Sequence, residues 1–237
     1  MTWSIIARDP VTKRIGIAVA TRFFAVGSRV PHIRTGVGAI ASQALVNPYL
    51  GPRGLAMLST GISAANTVRL LMAADDGRDH RQIHAMDQKG SFAGHTGDKC
   101  VEWCGHIVRD GISLAGNMLA GEAVLTETAR SYAENPDLPF ARRLILAMAA
   151  GESAGGDKRG RQSAALLIHD DEDYSLLDLR VDDHADPLAE LARLESVARE
   201  RWVHFRRAMP SRASPSGITD RAELEALIAR SITESYE

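Results

Sequence analysis

Two apolar runs near the start of the chain flank a turn signal. Residues Trp3–Ala7 and Ile15–Ala20 carry few polar side chains, and Asp9-Pro10 between them is typical of a turn. Runs without polar alternation are typical of strands that are covered on both faces. The pattern therefore predicts a hairpin of central strands in a layered fold. A third run of small apolar residues follows at 36–44.

Helical and extended patterns alternate through the middle of the chain. Apolar positions at helical spacing predict helices near 51–60, 63–74, 121–134 and 139–150. Short apolar runs between turn signals predict strands near 82–87, 91–96, 102–109, 112–117, 163–168 and 176–181. Groups of strands that alternate with groups of helices predict an α+β fold with two sheets between two helical layers.

The positions of glycine divide the chain. Of the 20 glycines, 19 lie at or before Gly160 and only Gly217 follows. Glycine-rich segments favour turns, whereas their absence favours long helices. We therefore expect one layered domain over 1–186 and a helical extension over 187–237.

The predicted extension begins with a proline that suits a first helical turn. Apolar spacing predicts a helix from Pro187 to about Arg207, a Pro/Ser linker at 210–217, and a final helix that begins with the capping pair Asp220 and Glu223. We expect this extension to join copies of the chain into a homo-oligomer, such as a homodimer.

Composition and charge exclude several classes of protein. The chain has 237 residues, of which 45% are apolar and 24% charged, as in globular proteins with a full core. A net charge of −2 without a concentrated basic patch argues against binding to nucleic acid or a membrane surface. No apolar run approaches the roughly 20 residues of a membrane span, and Arg8 interrupts the N-terminal run too early for a signal peptide. We expect a cytoplasmic protein.

Several motifs carry a resemblance to known families. The opening residues 2–9 and the segment 16–27 resemble the first hairpin of the N-terminal-nucleophile (Ntn) hydrolases, the proteasome-subunit superfamily. More closely, residues 1–193 resemble a bacterial family, domain of unknown function 1028. The motifs shared with that family are Thr21–Ser28, Gln43, Asn47-Pro48, Gly51–Leu55, His95–Gly97, Gly116–Gly121, Gly155–Ala164 and Arg180–His184. The resemblance implies a four-layer αββα sandwich of the Ntn-hydrolase type.

The resemblance implies that Thr2 is a catalytic nucleophile. In Ntn hydrolases an N-terminal Thr, Ser or Cys attacks a carbonyl and its own α-amino group, with a pKa of roughly 7.7–8.0, serves as the base. This role requires removal of Met1, which a threonine at the second position generally permits. The side-chain amide of Asn117 is the candidate donor to the oxyanion. The alternative is that Thr2 is only the first residue of a buried strand.

Three further candidates are predicted to bind substrate from strand ends or loops. Arg22 could bind a carboxylate through two hydrogen bonds, or it could form a structural ion pair. Asn47 could contact a ligand, although the following Pro48 favours a turn-capping role. His95 could position a substrate group or serve as a structural histidine.

The polar loop 155–163 is a candidate anion-binding segment. Its glycines permit close backbone approach, and Asp157, Lys158 and Arg161 are predicted to bind substrate. The spacing does not match a nucleotide-binding P-loop. Alternatively, Asp157 and Arg161 pair with each other to hold a tight loop.

No metal and no cofactor is predicted. Cys100, Cys104 and His106 would share one face of an extended segment, but their spacing is only weakly typical of a zinc site. The acidic and histidine cluster at 182–186 could hold a hard cation, although Asp186 before a proline is also a good helix N-cap.

Together these features favour an amidohydrolase or peptidase that acts on a small amide or peptide through Thr2. The alternative is a non-catalytic protein on the same fold that retains Met1 and binds an anionic small molecule or a muropeptide through Arg22, Lys158 and Arg161. A metal-dependent hydrolase that uses the Cys/His segment is a third possibility.

Overall fold

The computed structural model describes residues 2–234. It is a mixed α+β structure with two antiparallel sheets. The chain contains two compact units, one ending at Leu191 and the other beginning at Ala192. The strands are β1 (Thr2–Arg8), β2 (Ile15–Thr21), β3 (Pro31–Arg34), β4 (Gly38–Ala44), β5 (Arg81–Asp87), β6 (Phe92–Thr96), β7 (Gly105–Arg109), β8 (Ile112–Asn117), β9 (Ser163–His169) and β10 (Leu177–Val181). The helices are α1 (Leu50–Leu58), α2 (Ala64–Ala73), α3 (Ala123–Glu134), α4 (Phe140–Ser153), α5 (Pro187–Glu200), α6 (Trp202–Phe205) and α7 (Arg221–Thr233).

The first sheet has six strands in the order β10-β9-β2-β1-β8-β7. The predicted N-terminal hairpin lies at its centre, with Trp3 opposite Ala20. One carboxylate oxygen of Asp9 accepts hydrogen bonds from the backbone of Val11 and Thr12, which closes the turn between β1 and β2. Helix α4 contacts β1, β2 and β9, and α3 contacts β8. One face of this sheet is therefore covered by helices.

The second sheet has four strands in the order β3-β4-β5-β6. Helices α1 and α2 contact it, and Ile40, Leu71 and Ile83 belong to the apolar cluster beneath them. Strand β3 was not predicted, because its four residues are short, partly exposed and begin with a proline. Ser63 is the N-cap of α2, since its hydroxyl accepts a hydrogen bond from the Asn66 backbone.

The two sheets contact each other through β1 with β4 and β5 with β8. Side chains alternate along β1, so that Ser4 and Ile6 point toward the second sheet while Trp3 packs beside Gly151 of α4. The space between the sheets is therefore part of the core.

Two boundary predictions need correction. The helix predicted from Pro187 to about Arg207 stops at Glu200, because Arg201 adopts a φ of −148° that departs from helical geometry. The strand predicted from Glu102 begins only at Gly105. The final helix has its predicted N-cap, since Asp220 accepts a hydrogen bond from the backbone of Glu223.

Among the helices of residues 2–234, none has the length and apolar character that crossing a membrane requires.

Candidate functional site

Thr2 is the first residue of β1 and lies between two neighbouring strands. It is directly opposite Asn117 of β8, and its hydroxyl donates to the hydroxyl of Thr21, at the end of β2, over 3.1 Å. Only 8% of Thr2 is exposed. The preceding Met1 lies outside the described residues. The structure thus brings both predicted catalytic residues, Thr2 and Asn117, to the same end of the central strands.

The amide nitrogen of Asn117 makes two hydrogen bonds. Its Nδ2 donates to Oε1 of Gln82 over 3.0 Å and to the carbonyl oxygen of Thr2 over 3.4 Å. The contact with Thr2 is the longer and therefore the weaker of the two. Asn117 is buried and holds the carbonyl of the candidate nucleophile.

Two buried glutamines continue this hydrogen-bonded chain. Nε2 of Gln43 reaches the carbonyl oxygen of Thr2 at 3.2 Å and Oε1 of Gln82 at 2.8 Å. Nε2 of Gln82 in turn donates to the carbonyl oxygens of Gly116 and Gly105. Gln43 and Gln82 lie opposite each other on β4 and β5, so the second sheet supports the N-terminus of the first.

His84 lies at the far end of the same chain, between two serine hydroxyls. Ser4 donates to Oε1 of Gln43 at 2.6 Å, so its oxygen accepts the proton of His84 Nε2 at 2.8 Å. His84 Nδ1 then accepts from the hydroxyl of Ser113 at 3.0 Å. Burial, together with the charge of His106, lowers the pKa of His84 to about 3, so its ring is neutral near pH 7.

These four polar residues, Ser4, Gln82, His84 and Ser113, were not predicted as part of the site. Ser4 and Ser113 interrupt otherwise apolar strands, and Gln82 and His84 alternate with apolar residues along β5. Polar residues on the buried face of a strand must find hydrogen-bond partners there, so their positions in these strands could have indicated a buried polar network.

Asp157 fixes the glycine-rich loop beside Thr21. Its carboxylate accepts a hydrogen bond from the Arg22 backbone over 2.7 Å, and it is 3% exposed. The predicted pair between Asp157 and Arg161 is wrong. Asp157 pairs with Arg159 at 3.2 Å, because the tight turn brings the guanidinium two residues ahead onto the carboxylate.

The basic side chains of this region bind protein groups. Arg161 pairs with Glu152 at 2.6 Å and with Asp186 at 3.0 Å. Nη1 of Arg22 donates to the carbonyl oxygen of Arg159 at 2.9 Å. Lys158 Nζ donates to the carbonyl oxygen of Glu102 at 2.7 Å. These contacts order the loops around Thr2, while the surfaces of Arg22 and Lys158 stay exposed.

The other two predicted binding residues belong to the second sheet and its loops. Asn47 donates to Asp75 at 2.9 Å and accepts from the backbone of Tyr49, as its turn-capping interpretation predicts. His95, on β6, contacts the carbonyl oxygen of Arg78 at 3.2 Å. Neither contacts Thr2 or Asn117 through a hydrogen bond between side chains.

A cavity of about 280 Å³ adjoins Asn117. Two of its lining residues, Ala44 and Met118, adopt left-handed backbone conformations, with φ of 71° and 55°. Such conformations are unfavourable for residues other than glycine and are frequent at functional sites. His80, Lys99 and Cys100 also line it. Asn117 connects this cavity to Thr2.

The structure does not bring Cys100, Cys104 and His106 together as a group of metal ligands. Cys100 and Cys104 precede β7, so the extended geometry that would align them with His106 is absent. Their thiols contact the carbonyl oxygens of Arg81 and Cys100, and burial raises the pKa of both thiols. Across residues 2–234 no group of three potential metal ligands assembles. The predicted N-cap role of Asp186 is confirmed by its hydrogen bond from the backbone of Ala189.

Comparisons with known proteins agree on the family. A family model described as "Family of unknown function (DUF1028)" matches residues 2–191. The crystal structure of protein SPO2555 from Silicibacter pomeroyi, assigned to DUF1028, has a TM-score of 0.86 and 33% identity. The match covers 93% of this chain and 96% of that one.

A second solved structure is only distantly similar. Anbu (ancestral beta-subunit) from Yersinia bercovieri has 12% identity and a TM-score of 0.40, over 84% of this chain and 97% of that one. A search of the curated proteins found no match.

Proposed function

The chain belongs to the DUF1028 family of unknown function, and from that premise we propose that it is an amidohydrolase that cleaves a small amide or peptide with Thr2 as its nucleophile. The proposed architecture is a four-layer αββα sandwich. The contacts of α3 and α4 with the first sheet, of α1 and α2 with the second, and of the two sheets with each other support it.

The position of Thr2 carries the proposal. Its hydroxyl is hydrogen-bonded at the start of a central strand, and its carbonyl accepts from Gln43 and Asn117. A nucleophile held in this way loses little conformational entropy when it reacts. After removal of Met1, the α-amino group of Thr2, with a pKa near roughly 7.7–8.0, lies on the same residue as the hydroxyl that it would deprotonate.

The proposed reaction has two steps. The Thr2 hydroxyl oxygen attacks the amide carbonyl and loses its proton to the α-amino group; the C–N bond then breaks, and the leaving amine takes that proton. Water, deprotonated by the same amine, hydrolyses the resulting ester and regenerates the hydroxyl. Amide and water are the only reactants, and acid and amine the only products.

Asn117 is proposed to stabilise the oxyanion. One of its amide hydrogens is held by Gln82 over 3.0 Å, whereas the hydrogen directed at the Thr2 carbonyl spans 3.4 Å. The hydrogen in the weaker contact would instead bond to the oxyanion of the reacting amide, since hydrogen bonds to charged oxygens are roughly twice as strong.

Arg22 and Lys158 are proposed to bind an acidic group of the substrate. Both are exposed: Lys158 belongs to the loop that Asp157 fixes, and Asp157 accepts a hydrogen bond from the backbone of Arg22. Their contacts to the carbonyl oxygens of Arg159 and Glu102 orient their positive charges without neutralising them. This arrangement favours an amide or peptide that carries a carboxylate.

Acylation by an electrophile tests the proposal. A β-lactone opens on an activated hydroxyl and adds its whole mass without a leaving group, so intact-mass spectrometry locates the adduct after proteolysis. We expect one adduct on Thr2, retained in Thr2→Ser and lost in Thr2→Ala. Thr60→Ala, at an exposed position, is the matched control and should label like the native chain.

Hydrolysis of a panel of acidic dipeptides and acyl-amino acids should likewise be retained in Thr2→Ser and Thr60→Ala and lost in Thr2→Ala. Equal turnover by Thr2→Ala would contradict the proposal. A retained Met1, with saturable binding of an acidic muropeptide and no adduct, would favour the non-catalytic alternative.

A further inference from the structure

A basic pocket of about 310 Å³ lies at the end of the molecule where the hairpins turn. Its charged and hydroxyl-bearing lining residues include Arg8, Lys13, Lys89, Tyr132 and Arg143. Arg8 ends β1, whereas Thr2 begins it, so the two ends are about 20 Å apart along the strand. The basic pocket is therefore separate from the candidate active site.

Arg143 is the buried cation of this pocket. It is 8% exposed, and its Nε donates to the carbonyl oxygen of Tyr132 over 2.7 Å. Its guanidinium carbon also lies 3.8 Å from the centre of the Tyr132 ring. These contacts lock the guanidinium plane, while its terminal nitrogens make no hydrogen bond within residues 2–234. The terminal nitrogens are not among the buried unpartnered side-chain atoms of residues 2–234, so they face the open pocket, where a ligand can replace the solvent on them.

The hydroxyl of Tyr132 is a second donor without an acceptor. The atom is buried in the pocket wall and has no hydrogen-bond partner. Burial raises the pKa of Tyr132 to about 12, although the charge of Arg143 opposes that rise. The hydroxyl therefore keeps its proton near pH 7 and offers it to an oxygen in the pocket.

The rim of the pocket adds positive charge. The side chains of Arg8 and Lys89 form no hydrogen bond or ion pair with residues 2–234. Asp9 also faces the pocket: one of its carboxylate oxygens accepts from Val11 and Thr12 in the hairpin turn, and its negative charge interacts with the positive charge of Arg143. Four cations thus surround the cavity, against the two carboxylates of Asp9 and Asp110.

We propose that the basic pocket binds a small oxyanion of the phosphate class, either inorganic phosphate or a phosphate monoester. The planar donors of Arg143 suit two oxygens of one tetrahedral anion, and the Tyr132 hydroxyl suits a third. Arg8 and Lys89 supply the further charge that favours a dianion over a carboxylate. The cavity is larger than phosphate alone, which leaves room for an esterified group.

Titration calorimetry of the full chain with inorganic phosphate, at low ionic strength, tests the proposal. We expect saturable binding of one phosphate per chain and much weaker binding of acetate. Lys89→Ala should weaken phosphate binding about tenfold, which corresponds to the loss of one charged contact. Tyr132→Phe should weaken it several-fold while leaving the melting temperature unchanged or raised, because the lost hydroxyl has no partner in the free protein.

Arg143→Lys keeps the charge but loses the paired donors, and it should weaken binding at least as much as Lys89→Ala. Arg29→Ala removes an equivalent exposed charge outside the pocket and should bind phosphate like the native chain. A phosphate monoester that binds more tightly than phosphate would identify the ester as the ligand, whereas tighter binding of phosphate would identify the free anion. Absence of saturation, or equal weakening by Arg29→Ala and Lys89→Ala, would overturn the proposal. Because none of these variants touches Thr2, the outcome is independent of the proposed hydrolysis.

Discussion

The space between the two sheets has an apolar half and a polar half, and β1 crosses both. Toward the hairpin turn, Ile6 packs with Ile17, Val19 and Met86. Toward Thr2, the equivalent positions hold the hydrogen-bonded chain that includes Ser4, Gln43, Gln82, His84 and Asn117. The two halves share a sheet and a level of burial but differ in chemistry.

The difference shows what each half contributes. Apolar burial stabilises in proportion to the area removed from water and specifies geometry loosely. A buried hydrogen-bonded network contributes little net stability but tolerates only one arrangement, because each lost partner is costly. The polar half is therefore suited to holding the Thr2 carbonyl in one place, and the apolar half to keeping the sheets together.

The largest expected loss of unfolding free energy comes from a substitution in the apolar half. Ile6→Ala removes a fully buried side chain from that cluster and should lower the free energy of unfolding by about 4 kcal/mol, measured by urea denaturation. Val11→Ala, at a position that is 84% exposed, is the control and should cost less than about 0.5 kcal/mol. Similar losses in the two variants would show that the inter-sheet cluster does not stabilise the fold.

Gln82→Leu removes the central hydrogen bonds of the polar half. The substitution keeps the size of the side chain but removes the acceptor of Gln43 and Asn117 and the donor to Gly116. We expect a loss of about 3 kcal/mol in unfolding free energy, since several buried groups lose partners. Labelling of Thr2 should fall more steeply than it does in Ile6→Ala at matched folded fraction. Equal labelling would mean that the network does not position Thr2.

Lowering the pH should reduce the unfolding free energy through His84, which lies in the polar half. Its pKa is about 3 in the folded chain against 6.5 ordinarily, so the unfolded chain binds the additional proton between these values. The unfolding free energy therefore falls as the pH drops through this window, by about 2 kcal/mol between pH 7 and pH 5. His84→Gln should remove that part of the slope. The lowered pKa values of His32 and His106 act in the same direction and remain in the variant. If the unfolding free energy of His84→Gln depended on pH as steeply as that of the native chain, His84 would not be the group responsible.

The smallest expected loss of stability comes from a substitution at the end of the hydrogen-bonded chain. Ser113→Ala removes the donor to His84 Nδ1 and should cost about 1 kcal/mol, measured by thermal denaturation. Because Ser113 lies far along the network from Asn117, Thr2 labelling should stay near the native level. A labelling defect as large as that of Gln82→Leu would mean that the network acts as one rigid unit.

Local patterns in the sequence predict much of the fold. The N-terminal hairpin and the Asp220 cap follow from residue types at fixed spacing, and the structure confirms both. Strand β3 and the break at Arg201 carry no such local signal. Strand β3 exists through its pairing with β4, where Pro31 lies opposite Ala41.

The candidate site is less predictable because it depends on register and on which faces meet. Thr2 and Asn117 are separate predictions that strand pairing places opposite each other. Gln82 and His84 join them only because β5 packs across β8, and no spacing along the chain encodes that contact. The pairing of Arg161 shows the same limit, since its partner Asp186 is 25 residues away in sequence.

The N-terminal mass of the purified protein tests the central claim most directly. If Thr2 is the nucleophile and its own amine the base, intact-mass spectrometry should show a chain lighter by one methionine residue, and only that species should acquire the β-lactone adduct. A chain that retains Met1 and still hydrolyses amides would contradict the account, because an amide nitrogen cannot serve as the base.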